Sequence, residues 1–312
     1  MPLTPAPFHA DLAQGPPGGA AYWMECSDGV RIRVAAWPAE GARGTVLLFP
    51  GRTEYIEKYG DAARHLSARG FATLAVDWRG QGLADRLTGD ARLGHVLRFS
   101  DYQKDVAAML RAARGLDLPR PHYLLAHSMG GCIGLRAVME GLGVQAAAFS
   151  GPMWGIHFGR AMKFMAMGVI YGGPLLGRGL TLSPSTRFEP YVEWADFKGN
   201  TLTRDPEMYQ MMRDQIEAVP ELALGGPTLH WLREAVNETR ALARRASPDL
   251  RCVTFLGSDE AIVDVPRIYA RMQTWTRGRL DVIEGGRHEV LMDPPEVRGP
   301  IFDRMAMLFA GE

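Results

Sequence analysis

Ser128 stands in Ala126-His127-Ser128-Met129-Gly130-Gly131, at the end of an apolar run and just ahead of Ile133, Leu135, Ala137 and Val138. Small residues two places before and after a serine let a strand turn sharply into a helix with the hydroxyl held outward, as in a nucleophile elbow. Ala126 takes a place usually held by glycine and still meets that steric demand. A serine hydroxyl is a weak nucleophile near neutral pH, so it needs an imidazole to take its proton and an acid to orient the imidazole. His288, in Glu284-Gly285-Gly286-Arg287-His288-Glu289, follows a late strand and is the candidate base. His157 and His230 belong to a different region; His9, His65, His95, His122 and His127 precede the serine and are assigned to packing or loop hydrogen bonds. The stretch Gly257-Ser258-Asp259-Glu260-Ala261-Ile262-Val263-Asp264 offers three carboxylates. Glu260 is the choice for the acid, from its offset from Gly257 and the apolar pair behind it, with Asp259 and then Asp264 as alternatives.

An attacked carbonyl gains negative charge on its oxygen, which two backbone N–H groups must already face. Met129, which follows the nucleophile, is expected to supply one, and Arg52, in Pro50-Gly51-Arg52, the other. Chemistry of this kind needs no metal and no organic cofactor.

These residues must hang from regular elements. Ala21 to Cys26 and Val30 to Trp37 flank Ser27-Asp28-Gly29 and predict an opening hairpin. Thr45 to Pro50, Phe71 to Asp77 and His122 to His127 read as buried strands. Helical patterns run over Tyr55 to Arg69 and about Asp101 to Arg114, and another follows Ser128. Alternation of strand and helix predicts a mostly parallel sheet wrapped by helices, an α/β architecture. Val144 to Ser150 is the next strand, but its successor, Arg251 to Gly257, comes far beyond an ordinary connection, so an inserted, mainly helical domain is expected. Its Met153, Met162, Met165, Met167, Met208, Met211, Met212, Trp154, Trp194 and Trp231 could line an apolar cavity, though most should fill the insert's own core. Arg279 to Glu284 reads as a last strand and Ile301 to Phe309 as part of a closing helix. The expected division is residues 1–19 as a loose Pro/Gly/Ala-rich arm, 20–151 as the first part of the core, 152–248 as the insert and 249–312 as the second part.

The chain's 312 residues are 46% hydrophobic, enough for one large core. Lys plus Arg and Asp plus Glu number 35 each, so no global field favours nucleic acid or another polyanion. Cys26, Cys132 and Cys252 have neither metal-ligand spacing nor the even count of a disulfide framework; with no signal-peptide pattern at the start, a cytoplasmic location is expected. Ala161 to Leu182 is the most apolar region, but charges, Pro174 and several glycines make it a poor membrane span, leaving peripheral contact with a membrane surface.

Together the motifs resemble the lysophospholipase and monoacylglycerol lipase-like branch of the α/β-hydrolases. Phe49-Pro50-Gly51-Arg52-Thr53-Glu54 is similar to that family's oxyanion loop, and Asp77-Trp78-Arg79-Gly80-Gln81-Gly82 to its Asp-x-Arg-Gly-x-Gly turn. Gly94-His95-Val96, Phe99-Ser100-Asp101-Tyr102, the elbow, the acid loop and Gly286-Arg287-His288-Glu289 extend the resemblance over about Ala20 to Gly151 and Arg251 to the end. It implies an α/β-hydrolase fold with a lid, and a serine hydrolase cleaving a lipid ester such as a lysophospholipid or monoacylglycerol through an acyl-enzyme on Ser128. Two departures stand out: Ala126 at the first elbow position, and Glu260 where monoacylglycerol lipases carry Asp. Competing readings are a peptidase or thioesterase acting on small substrates, and a non-catalytic binding protein on the same fold.

Overall fold

The computed structural model describes residues 3–159, 163–184 and 186–312; Met162 lies outside them. Nine strands form one sheet: β1 (Thr4–Ala6), β2 (Ala20–Glu25), β3 (Arg31–Trp37), β4 (Thr45–Phe49), β5 (Ala72–Asp77), β6 (His122–His127), β7 (Ala146–Ser150), β8 (Arg251–Gly257) and β9 (Gly278–Ile283). Their order is β1-β2-β3-β5-β4-β6-β7-β8-β9. The first pairings, through β3 with β5, are antiparallel, and those from β5 to β9 are parallel.

Strands β4 to β7 are buried along their whole length, so they read as continuous apolar runs rather than alternating ones. Period two survives in where the side chains go: Val46 and Leu48 enter the core on one face, Leu47 and Phe49 that on the other. The first face is covered by α2 (Gly60–Ser67) and, after β9, α10 (Pro295–Ala310), through Leu66 and Phe302. The second is covered by α3 (Tyr102–Gly115), α4 (Ser128–Met139) and α9 (Val265–Gln273), through Met109, Ile133 and Ile268.

Of the stretch expected as a loose arm, the described residues 3–19 are ordered against the sheet. Thr4–Ala6 pairs with Ala21–Trp23 as an edge strand, Phe8 packs edge-on against Trp37, and a short α1 (Ala10–Ala13) follows. Helix Tyr55 to Arg69 also differs from expectation: a 3-10 turn at Ile56–Tyr59 precedes α2. The arm meets this junction so closely that a Cβ on Gly60 would lie 1.8 Å from Ala13 O. Composition hides this order because it comes from tertiary contact rather than from periodicity.

Between β7 and β8 the chain leaves the sheet for α5 (Lys163–Leu175), α6 (Tyr191–Trp194), α7 (Pro206–Ala218) and α8 (Leu229–Ala243). Asp205 caps α7 by accepting from Glu207 and Met208 N–H with Pro206 in the first turn, and Thr228 caps α8 through Trp231 N–H. A third apolar cluster, including Tyr55, Tyr209, Leu222 and Met292, joins α7 to the core. Among the described residues no helix is long and apolar enough to cross a membrane.

Candidate active site

Strand β4 lies between β5 and β6, so the chain turns one way after β4 and crosses to the other side before β6. Such a reversal opens a crevice beyond the carboxyl ends of the strands, where α/β proteins bind their ligands. Ser128 follows β6 and the Pro50-Gly51-Arg52 loop follows β4, so the reversal places both at that crevice.

Ser128 has φ 49°, in the left-handed region, at a cost on the order of 1–3 kcal/mol for a residue with a side chain. The first turn of α4 then presses on the end of β4: a Cβ on Gly130 would lie 2.1 Å from Phe49 O. His288 Nδ1 is 2.6 Å from Glu260 Oε2, and His288 Nε2 is 2.9 Å from Ser128 Oγ. With Nδ1–H donating to the carboxylate, Nε2 is free to accept from the hydroxyl. The acid and histidine loops touch directly, since a Cβ on Gly257 would lie 2.2 Å from Gly286 O.

The other Glu260 oxygen accepts from Ile262 N–H at 2.7 Å and Val263 N–H at 3.2 Å. Burial pushes this carboxyl up, but the charge and hydrogen bond of His288 and those two N–H groups outweigh it, holding it below the usual carboxylate range. Asp259 is exposed and accepts from Ser258 Oγ; Asp264 precedes α9. Of the three carboxylates, Glu260 is the one against His288.

Beneath the imidazole lies a group of charges that motif reading passed over. Lys58 Nζ donates to Glu54 Oε1 at 2.5 Å and to Glu289 Oε1 at 2.7 Å, with both side chains of each pair buried. Tyr59 O–H and Gly51 N–H donate to Glu54 Oε2. His127, assigned from sequence to packing or loop hydrogen bonds, lies 4.8 Å from the His288 ring, with Nε2 3.3 Å from Glu289 Oε2 and Nδ1 3.0 Å from Ser150 O. Burial opposes its charge, yet Glu289 and Glu54 raise its pKa above the ordinary imidazole value. Burial likewise opposes the Glu289 charge, but His127 and Lys58 hold that carboxyl well below its usual range. Glu54, His127 and Glu289 are close enough to share a cation. The Lys58 ammonium already bridges the two carboxylates. The local signals were slight: a Glu and a Lys four apart, and a Glu after the histidine.

A cavity of about 480 Å³ opens over Ser128 and His288. Its wall includes Met153, Met212, Trp194 and Trp231 from the insert and Arg52 from the core loop. Among the other methionines expected there, Met208 is buried in the third cluster, Met211 packs against it, and Met165 is exposed. The insert also braces the histidine loop: His288 N–H donates to Thr201 O at 3.3 Å and Glu289 N–H to Leu202 O at 2.8 Å.

Sheet order, elbow and crevice define an α/β-hydrolase. The family described as serine aminopeptidase, S33 matches residues 40–295, and the chain belongs to it. Lysophospholipase L2 of Escherichia coli is 31% identical over 285 residues, spanning 87% of this chain and 82% of that one. A probable lysophospholipase L2 of Haemophilus influenzae is 26% identical, over 84% and 82% of the two chains. Among solved structures, a soluble variant of Saccharomyces cerevisiae monoglyceride lipase in complex with a substrate analog superposes with a TM-score of 0.68 at 21% identity, covering 92% of this chain and 93% of that one. A thermostable carboxyl esterase from Bacillus coagulans gives 0.71 at 16% identity, over 94% and 98%. Identities this low show a shared fold.

Proposed function

We propose that this carboxylic ester hydrolase cleaves the fatty-acyl ester of lysophospholipids or monoacylglycerols through an acyl-enzyme on Ser128. The observation that carries the reading is the continuous contact from Ser128 Oγ through His288 to Glu260 on the floor of a largely apolar cavity. His288 Nε2 takes the hydroxyl proton as Oγ bonds to the acyl carbon, and the Glu260 carboxylate holds the imidazolium in place. The N–H groups of Arg52 and Met129 receive the oxyanion. The C–O bond then breaks, His288 gives its proton to the leaving alcohol, and water, deprotonated by the same imidazole, releases the fatty acid and restores the hydroxyl. The two lysophospholipase relatives, matched over most of their length, support the lipid-ester class.

A hydrolysis screen over lysophospholipids, monoacylglycerols and short p-nitrophenyl esters tests this. Long-chain lipids are expected to lead, and Ser128→Ala should reduce kcat by about 10⁴-fold or more. No turnover of any ester would overturn the reading; preference for short amides or thioesters would favour the small-substrate alternative.

The exposed apolar side chains of the insert support peripheral contact with a lipid surface. Phe164 is 90% exposed, Leu175 82% and Leu176 79%, on and just after α5. Phe164→Ser with Leu176→Ser should reduce co-sedimentation with phosphatidylethanolamine/phosphatidylglycerol vesicles; unchanged co-sedimentation counts against the contact. We place the protein in the cytoplasm, where the free, buried Cys26, Cys132 and Cys252 would stay reduced.

A further inference from the structure

Several buried cations of this molecule face carboxylates. Arg33 pairs with Glu57 and Asp77, Lys58 with Glu54 and Glu289, and Arg79 with Asp28 and Asp105. Arg52 does not: no carboxylate of the described residues lies within ion-pair distance of it. Its Nη2 donates to Gly225 O at 2.6 Å, its guanidinium sits 5.3 Å from the centre of the Trp231 ring, and its Nε is shielded with no hydrogen-bond partner among the described residues. Burial pushes its pKa down to about 10. Arg271, which is buried and likewise away from carboxylates, differs because Leu242 O, Arg245 O and Ser247 Oγ accept from it and it lies outside the cavity.

A charge partly withdrawn from water without a counter-charge is costly, and here the half-buried Arg52 lines the cavity that opens on Ser128. We propose that the Arg52 guanidinium binds the phosphodiester of a lysophospholipid and so sets a preference for phosphate-bearing substrates over uncharged monoacylglycerols. The inference rests on the lipid-ester reading above. Connectivity favours it: the glycerol unit sets the phosphate a few bonds beyond the scissile ester, and the arginine side chain carries its guanidinium a similar number of bonds beyond the backbone N–H proposed to face the ester oxygen. A planar fork of donors suits phosphate oxygens, and the anion would supply the counter-charge that Arg52 lacks.

The readout is the ratio of kcat/KM for a lysophospholipid to that for the monoacylglycerol of the same acyl chain, in which any disturbance of the shared ester site cancels. Arg52→Gln should lower this ratio by about tenfold to a hundredfold, the range for a lost charge-assisted contact, and Arg52→Lys should restore part of it. Equal loss on both substrates, leaving the ratio unchanged, would make Arg52 a clamp between core and insert and overturn the proposal. Should R52Q lose both activities, R52K carries the test, and a ratio unchanged there overturns it. Inorganic phosphate that inhibits monoacylglycerol turnover by the native enzyme, while the ratio stays unchanged in R52Q, would assign the guanidinium to a free anion and overturn the head-group reading. A native enzyme that cleaves neither lipid refutes the underlying function instead, so the two failures are distinct.

Discussion

Lys58 and Arg52 leave the same stretch of chain, Lys58 buried and Arg52 half-buried beside the Ser128–His288 pair, yet they are treated differently. Lys58 sits beneath the imidazole between two carboxylates, with the His127 ring close by. Arg52 sits in the cavity wall with a carbonyl and an aromatic face for company. A neutralised charge can hold two loops together; through Lys58 the loop after β4, carrying Glu54, is tied to the histidine loop, carrying Glu289. An unneutralised one spends part of the folding energy and is useful where something arrives to complete it.

The contrast breaks most decisively at Lys58. Lys58→Met leaves Glu54 and Glu289 facing one another without their cation and should destabilise the protein by about 3–5 kcal/mol in urea unfolding. Arg52→Gln should cost less, about 1–2 kcal/mol, because it leaves one carbonyl, that of Gly225, without its donor and no charge uncompensated. Equal losses for the two would erase the distinction drawn between them.

A smaller effect should appear in the dependence of melting temperature on pH. Glu289 and Glu260 have lowered pKa values, so their contributions are present above about pH 4.3 and are lost as the pH falls through the folded values. His127 has a raised one, so its contribution is complete below about pH 6.5 and is lost as the pH rises through the folded value. Each contribution is read as the difference between the native profile and that of a variant lacking the group, because the lowered pKa values of His65, His95 and His122 act in the opposite sense to His127. In Lys58→Met the acid-side decline should weaken, since Glu289 loses one of the charges that lower it. A native advantage over His127→Gln that does not shrink as the pH rises above about 6.5 would contradict a charged His127.

How much of this was legible in the sequence depended on whether the signal was local. The strands and most helices were legible because burial and periodicity lie within each segment, and Ser128 because the elbow demands small neighbours on both sides. His288 and Glu260 could be chosen by their order after late strands, and their loops do meet. The Glu54, Lys58, His127 and Glu289 group was not legible: each looks like an ordinary polar residue until the ends of β4, β6 and β9 bring them together. Arg52 was singled out for its backbone, which hid the isolation of its side chain. The order of residues 3–19 depends on Trp37 and the start of α2, which no local pattern reveals.

The carbonyls of Thr201 and Leu202 that hold the amides of His288 and Glu289 bear on how this enzyme can be re-engineered. A donor segment transplanted between β7 and β8 to alter selectivity would also replace the scaffold on which the His288 loop rests. Chimeras should therefore retain the recipient's own residues 200–205 at the seam, or they will trade turnover for specificity.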